Sequence, residues 1–280
     1  LPPKRAQYLF CNRNTIYNQI SDMRIATKFK ARLKFVCAIQ MLFWGGLIPT
    51  LANAQTGPGG VGNSTTNTAW LKPENFSGLS DNDAVSSWPD TSGNARHHSI
   101  ANSDYYPVYK ENQLNAYPVL RFDGTDDLLQ YTSSESGVNN FTVFLVAKTE
   151  VTHEIDLERN TGIYGTTGQK YLLGARHRQN DGGAGLSVGT NGISVYEHGA
   201  SYMPAPAVYS TTVTGFNIIG FRYTSRRPTI FFNSENSHVG LTSTKTTVYG
   251  PQQLGSGSYG AFDGDVAEMI IYNLRLNTCR

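Results

Sequence analysis

The stretch Phe141-Thr-Val-Phe-Leu-Val-Ala-Lys-Thr-Glu-Val151 decides the fold class that we predict for this chain. Aromatic and β-branched residues dominate it, and no Gly or Pro interrupts it, which is typical of a core strand. Weaker segments of the same kind lie on both sides of it, at residues 69–71, 118–122, 128–131, 216–223, 229–232 and 265–272. Many short strands in succession favour a sandwich or a barrel.

Turn signals separate these segments. Trp-Pro-Asp-Thr-Ser-Gly-Asn at 88–94 is a dense turn cluster, and Asn191-Gly192 predicts a hairpin turn with two positive φ angles. Residues 225–228 separate another pair of strands, and no amphipathic helical period of useful length follows Gln55. We therefore predict an all-β, two-sheet antiparallel β-sandwich. Its predicted core residues are Phe122, Val143, Leu145, Ile219, Phe221, Ile230, Phe232, Val266 and Ile270.

A targeting signal precedes this domain. Met23 is followed by a basic segment, a mostly apolar stretch at 35–48 and the small-x-small site Ala52-Asn53-Ala54. We expect residues 23–54 to be a signal peptide that is cleaved after Ala54, so that the protein is secreted or held at the cell surface. A membrane anchor is the weaker alternative, because the apolar stretch is shorter than the ~20 residues of a span.

The remaining segments divide simply. We interpret residues 1–22 as an upstream leader, 55–67 as a flexible lead-in rich in Gly, Ser, Thr and Asn, and 68–280 as the folded domain. Residues 1–54 hold eight of the 23 Lys and Arg but one of the 21 Asp and Glu, which leaves a net charge of −5 after Ala54. No basic stripe remains, so we expect no nucleic-acid partner. Cys279 is the single cysteine of this part, so no disulfide framework is predicted.

Several motifs together resemble one family. Ala69-Trp70-Leu71, Val85-Ser-Ser-Trp-Pro-Asp-Thr-Ser-Gly-Asn94 and Pro118-Val-Leu-Arg-Phe-Asp-Gly-Thr-Asp-Asp127 are similar to the opening of laminin G-like, concanavalin A-like lectin/glucanase domains. The stretch 141–148 resembles their next core strand, and Gly260-Ala-Phe-Asp-Gly-Asp-Val-Ala-Glu-Met-Ile-Ile-Tyr-Asn273 resembles their closing strand. The match covers residues 68–277 and is similar to the version in large surface proteins of Bacteroidota-type bacteria.

The resemblance implies a concanavalin A-like jelly roll. Members of the family include sugar-binding lectins, adhesion modules and, in one branch, glycoside hydrolases, so the fold does not settle the function. A short helix and further modules usually follow the closing strand in this group. We therefore expect the domain to be truncated at its C-terminal end.

The string Glu154-Ile-Asp-Leu-Glu158 is the sharpest chemical signal. On a strand its three carboxylates would share one face, with Ile155 and Leu157 turned inward. It resembles the catalytic motif of the laminarinase/lichenase group, which implies Glu154 as nucleophile, Glu158 as acid/base and Asp156 between them. A polar connection after the strand at 141–151 is the alternative. We favour it because that group lines its cleft with Trp, whereas Trp70 and Trp88 lie far upstream.

Acidic turns form a second candidate site. Carboxylates and amides at strand ends supply the oxygen ligands that Ca²⁺ prefers, and related lectin-like domains often hold a structural calcium. The alternative is ordinary hairpin chemistry, in which Asp-Gly forms the turn. The candidate ligands are Asp90, Asn94, Asp123, Asp126, Asp127, Asp263 and Asp265.

A third candidate is a sugar platform formed by Tyr196, Glu197, His198 and Tyr202. An aromatic ring covers the apolar face of a pyranose, and polar groups bind its hydroxyls. Aromatic residues packed on the rim of the sandwich are the alternative. We predict a non-catalytic module whose partner is a carbohydrate or surface glycan, or else a protein; a retaining glycoside hydrolase using Glu154 and Glu158 is the second hypothesis. The oligomeric state is left open.

Overall fold

The computed structural model describes residues 57–134, 136–233 and 235–277. Over these ranges the chain forms two large sheets and one small hairpin. The described residues contain no α-helix; their helical turns are the 3-10 segments Pro58–Gly60, Pro73–Asn75 and Ser103–Tyr105. The predicted upstream leader and signal peptide lie outside the described residues.

The first sheet has eight strands. In spatial order they are β14 (Glu235–Val239), β13 (Arg227–Phe232), β12 (Asn217–Thr224), β7 (Phe141–Lys148), β19 (Asp263–Tyr272), β5 (Tyr117–Asp123) and β4 (Val108–Leu114), with β1 (Asn67–Leu71) also paired to β19. Every pair is antiparallel. The predicted core strand β7 therefore lies in the middle of this sheet, between β12 and β19.

The second sheet has nine strands. In order they are β11 (Ala207–Ser210), β10 (Gly192–His198), β9 (Gly182–Gly189), β8 (Tyr171–Gly174), β16 (Gln253–Leu254), β6 (Leu129–Gln130), β3 (His98–Ser99) and β2 (Ser87–Trp88), and β15 (Val248–Tyr249) pairs with β9. The β15 pair is parallel and the others are antiparallel. The separate hairpin joins β17 (Ser256–Gly257) to β18 (Gly260–Ala261). The predicted two-sheet antiparallel β-sandwich is confirmed.

One apolar core fills the space between the two sheets. Phe122, Phe141 and Phe221 from the eight-stranded sheet are fully buried against Trp88 and Leu186 from the nine-stranded sheet. Seven of the nine predicted core residues belong to this cluster: Phe122, Val143, Leu145, Ile219, Phe221, Ile230 and Val266. Phe232 packs at its edge and is half-buried.

Ile270 is buried but faces away from this core, and a β-bulge is the reason. The pairing of β19 with β7 shifts between Val266 and Glu268. One extra residue reverses which side chains point inward. After the bulge Met269 and Ile271 enter the core, and Ile270 lies on the outer face of the sheet.

Two turns differ from prediction. The β9–β10 turn is centred on Thr190 and Asn191, and neither residue nor Gly192 has a positive φ, so the predicted Asn191-Gly192 turn geometry is wrong. The β12–β13 turn has two central residues as well, and there both Ser225 and Arg226 have positive φ (48° and 70°). The lead-in residues 57–66 contact the folded domain, where Asn273 N donates to the Thr66 carbonyl at 3.0 Å.

Candidate functional site

An irregular segment crosses the outer face of the nine-stranded sheet; we call residues 151–169 the strap. Thr190 N donates to the Val151 carbonyl at 2.8 Å, at the start of the strap. Asn191 then clasps His153 twice: its Oδ1 accepts from His153 N at 3.0 Å and its Nδ2 donates to His153 O at 2.9 Å. The strap contains the acidic string 154–158, which is therefore a connection and not part of a strand.

Glycines make room for the strap. Gly189 of β9 faces it so closely that a Cβ there would lie 2.4 Å from His153 N, and one on Gly192 of β10 would lie 3.1 Å from Ile155 Cδ1. A small apolar cluster of Tyr171, Tyr196 and Met203 fills the space beneath. The outer face of β8, β9 and β10 is thus covered by the chain's own backbone.

The three carboxylates of the strap have separate environments. Glu154 is exposed, whereas Asp156 accepts hydrogen bonds from Tyr196 Oη at 2.8 Å and Gln169 Nε2 at 3.0 Å. Glu158 accepts from Val208 N at 3.1 Å and is hydrogen-bonded to His238 Nε2. Leu157, expected to turn inward on a strand, is 71% exposed. Asp156 and Glu158 therefore serve the attachment of the strap.

The residues of the predicted sugar platform do not share one surface, because successive side chains of β10 point to opposite faces of the sheet. Tyr196 and Glu197 are both fully buried, which corrects their assignment as ligand-binding residues. Tyr196 faces the strap, and burial raises the pKa of its phenol. Glu197 faces the opposite way, into the sandwich, where it accepts from Tyr202 Oη at 2.7 Å, Tyr223 Oη at 2.8 Å and Ser243 Oγ. Burial raises the pKa of this carboxyl.

His198 and Tyr202 do line a surface cleft of about 130 Å³, which we call the two-histidine cleft. Its other walls include His177, Ser201 and Tyr259. The His198 ring lies 4.9 Å from the His177 ring and 5.4 Å from the Tyr259 ring, measured between centroids. Tyr259 is 40% exposed. The cleft thus combines an accessible aromatic ring with imidazole and hydroxyl groups.

Sequence reasoning missed the imidazole, hydroxyl and aromatic groups that His177, Ser201 and Tyr259 bring to this cleft. His177 follows β8, Ser201 follows β10, and Tyr259 lies in the β17–β18 turn. No local motif links these positions, which are up to 82 residues apart. Adjacent ring-bearing residues at the ends of strands were the one available signal, and that signal identified His198 and Tyr202.

The acidic turn at Asp90 does not fit a metal site. Oδ1 of Asp90 accepts from Trp70 N at 2.8 Å and Ser92 N at 2.9 Å, and Oδ2 accepts from Ser92 Oγ at 2.8 Å and Arg96 N at 2.9 Å. Asn94 donates to the carbonyls of Ser64 and Asn67. Both carboxylate oxygens of Asp90 are therefore already used as hydrogen-bond acceptors within the fold.

Asp265 is also engaged, by a two-pronged ion pair with Arg121 (2.7 and 3.0 Å). The donor set that fits a cation consists of Asp123, Asp126 and Asp127, which can each place one carboxylate oxygen within 4.8 Å of the others. Burial is the main cause that raises the pKa of Asp127 to about 6. Asp263 lies beside this turn, since a Cβ added to Gly124 would lie 2.7 Å from the Cβ of Asp263. The candidate calcium ligands are thereby reduced to those of one turn, at residues 123–127.

No protein-family model matches the chain, and no curated protein matches it. Among the described residues we find no helix of the length and apolar character that crossing a bilayer requires.

The solved structures that the chain matches are distant from it in sequence and in structure. A sialidase from Trypanosoma rangeli is 13% identical, with a TM-score of 0.45, over 76% of this chain and 32% of its own. Domain 4 of AbnA, a GH43 extracellular arabinanase from Geobacillus stearothermophilus solved with arabinotriose, is 12% identical, with a TM-score of 0.44, over 76% and 94%. The binding domain of botulinum neurotoxin DC, solved with SialylT, is 9% identical, with a TM-score of 0.46, over 76% and 49%.

This chain spans about a third of the length of the sialidase that it matches. With every quoted TM-score below 0.5, these similarities assign neither a ligand nor an activity to the chain. The β-sandwich rests on the chain's own strand pairing.

Proposed function

We propose that this chain is a secreted or cell-surface binding module, without catalytic activity, that binds a carbohydrate in the two-histidine cleft. The observation that carries the proposal is the exposed ring of Tyr259 beside His177, His198 and Ser201. An aromatic face stacks on the apolar face of a sugar, while imidazole and hydroxyl groups exchange hydrogen bonds with its hydroxyls. An adhesion role would follow if the sugar belongs to another cell.

The size of the cleft supports a small ligand. Its volume of about 130 Å³ is below the roughly 300 Å³ of ordinary small-molecule pockets. We propose that it takes one terminal sugar residue and not a longer stretch of polysaccharide. The strap supports this choice, because it covers the broad face of the sheet on which an extended chain would otherwise lie.

The test begins with a glycan array probed with the purified chain, followed by calorimetry on the best sugar. We expect Tyr259→Ala to lower the affinity for that sugar by about 3- to 10-fold, since an aromatic contact contributes about 0.5–1.5 kcal/mol beyond its buried area. Tyr105→Ala is the matched control, because Tyr105 is 36% exposed and does not line the cleft. An array without any ligand, or an equal loss in Tyr105→Ala, would contradict the proposal. Capture of a protein ligand instead of a glycan would do the same.

The absence of catalysis is a separate prediction. We expect the chain to release no reducing sugar from laminarin or lichenan. A retaining mechanism needs two carboxyls about 5–5.5 Å apart in one cleft, whereas Glu158 is held by Val208 N and His238, and Glu154 is exposed. Reducing-sugar release that disappears in Glu154→Gln would overturn this prediction and restore the hydrolase hypothesis.

We also propose that the domain belongs to the laminin G-like branch of the concanavalin A-like fold. The support is the order of its opening, central and closing motifs, which now correspond to β1, β5, β7 and β19. A secreted location remains a proposal that rests on the signal peptide predicted at 23–54. Sequencing the N-terminus of the protein exported by its native cell tests this, with Gln55 as the expected first residue.

A further inference from the structure

We propose that His177 and His198 form a binding site for a divalent transition-metal ion of the kind that imidazole binds, such as Zn²⁺ or Cu²⁺. Both rings line the two-histidine cleft, and their centroids are 4.9 Å apart with an interplanar angle of 82°. This site differs from the predicted calcium site in place and in chemistry. Nitrogen ligands select transition metals, whereas Ca²⁺ takes oxygen ligands.

The hydrogen bond of His198 supplies the first argument. Its Nδ1 lies 2.9 Å from the Ala175 carbonyl, and a carbonyl can only accept, so Nδ1 carries the proton. A neutral ring then has its lone pair on Nε2. Metal-bound histidines show this same arrangement, in which the second ring nitrogen donates to a carbonyl or carboxylate and fixes the ring.

The distance between the rings supplies the second argument. With metal–nitrogen bonds of about 2.0–2.1 Å, each centroid would lie roughly 3.2 Å from the ion. If the exposed His177 ring turns from its T-shaped contact so that both rings direct a nitrogen at one ion, a separation of 4.9 Å between centroids corresponds to an angle of about 100° at the metal, close to that of a tetrahedral site. His177 is exposed, and turning its ring costs one long hydrogen bond, from Gln179 N to its Nδ1 at 3.4 Å.

The composition of the cleft supplies the third argument. Two protein ligands leave coordination positions open, as in sites where water or a substrate completes the shell. The cleft is also lined by Ser201, Met203 and Tyr259, which add hydroxyl and thioether groups to the same site. No carboxylate lines the cleft among the described residues, which disfavours Ca²⁺ and Mg²⁺ there.

The test is calorimetric titration of the full chain, free of any histidine tag, with ZnCl2, CuCl2 and CaCl2 in the absence of sugar. We expect saturable one-to-one binding, with Cu²⁺ tighter than Zn²⁺ and no Ca²⁺ bound at this cleft. Loss of an outer-shell partner alone lowers metal affinity by about 10- to 100-fold. His177→Ala and His198→Ala should therefore each lower it by at least about 10-fold. Nitrogen hyperfine structure in the Cu²⁺ resonance spectrum should indicate two imidazoles and fall to one in each variant.

Controls keep the outcomes distinct. Asn180→Ala alters an exposed neighbour on the same loop and should bind metal like the native chain. His177 is exposed, so its variant remains informative even if His198→Ala fails to fold. The proposal is overturned by affinity weaker than about 1 mM, by an affinity that is unchanged in His177→Ala, or by binding lost only in His238→Ala. Because no sugar is present, failure of the glycan proposal leaves this result unaffected.

Discussion

At the scale of single residues, the buried acids of this sandwich already have hydrogen-bond donors from the protein itself. Asp90 accepts four hydrogen bonds, and Glu197 accepts three from hydroxyl groups. Hydrogen bonds to a charged group contribute about 1.5–3 kcal/mol each, and they leave few lone pairs for a ligand. Asp123, Asp126 and Asp127 differ, because their carboxylates lie together, and Asp123 and Asp127 each accept one backbone hydrogen bond, from Thr125 N and Asp123 N.

Calcium binding at this turn remains a prediction, and thermal unfolding checks it. We expect Ca²⁺ at about 100 times its dissociation constant to stabilise the fold by ~2.7 kcal/mol at pH 7.5, since the ion binds only the folded state. The effect should shrink at pH 5, because the pKa of Asp127 is raised to about 6 and protons then compete with the ion.

Two variants sharpen the calcium experiment. Asp127→Asn should abolish the stabilisation by Ca²⁺. Asp90→Asn should lower the unfolding temperature but leave the calcium effect intact, because Asp90 is a hydrogen-bond centre of another turn. An unchanged melting curve with Ca²⁺ and with excess chelator would remove calcium from this protein.

At the scale of elements, the strap is the segment that decides which face of the sandwich is accessible. The clasp between Asn191 and His153 secures one end, and Glu158 with His238 secures the middle. Three buried polar atoms at this seam have no partner among the described residues: His153 Nε2, Gln169 Oε1 and Ser194 Oγ. Buried polar atoms without partners are costly, so the strap is the element that we expect to open first.

Hydrogen exchange measured by mass spectrometry checks this expectation. Asn191→Ala removes both hydrogen bonds of the clasp, each contributing about 0.5–1.5 kcal/mol. We therefore expect amides of residues 151–169 to exchange about 10-fold faster, while those of β7 in the same sample do not change. Equal exchange of the strap in the native chain and the variant would show that the clasp does not hold it.

At the scale of the whole molecule, two buried histidines couple stability to pH. Burial is the main cause that lowers the pKa of His98 and of His153 from 6.5 to about 4. Each contributes stability that is present above pH 6.5 and is lost as the pH falls toward 4. Asp127 acts in the opposite direction, because its raised pKa favours the folded state as the pH falls from about 6.

Comparing variants separates these opposing contributions. Between pH 7 and pH 4.5, we expect His153→Gln to lose about 2–3 kcal/mol less unfolding free energy than the native chain, because it has no imidazole to protonate. Asp127 is common to both proteins and cancels in the difference. His177→Gln, which changes an exposed ring, should follow the native curve. Parallel pH dependences for all three proteins, measured by urea denaturation, would contradict this account.

Local pattern predicted the strands well. The apolar and β-branched residues of β5, β7, β12 and β13 lie where their sequence indicated, because strand preference and alternation depend on near neighbours. The bulge in β19 was not predictable in this way. The bulge depends on how β19 pairs with β7. It moves Ile270 out of the core, although nothing in the apolar sequence of β19 indicates the shift.

Sequence by itself determined the all-β class, the turn-rich order of the strands and most of the core, because these follow from residues that are close together in the chain. Tertiary structure decided where the polar residues lie and which groups they contact. It placed the acidic string 154–158 on a strap, turned Glu197 into the sandwich, and brought His177 beside His198 and Tyr259. Those outcomes depend on long-range packing, in which the glycines of β9 and β10 admit the strap and separate loops meet at one end of the sheet. No local spacing encodes such contacts, so only the folded chain could show them.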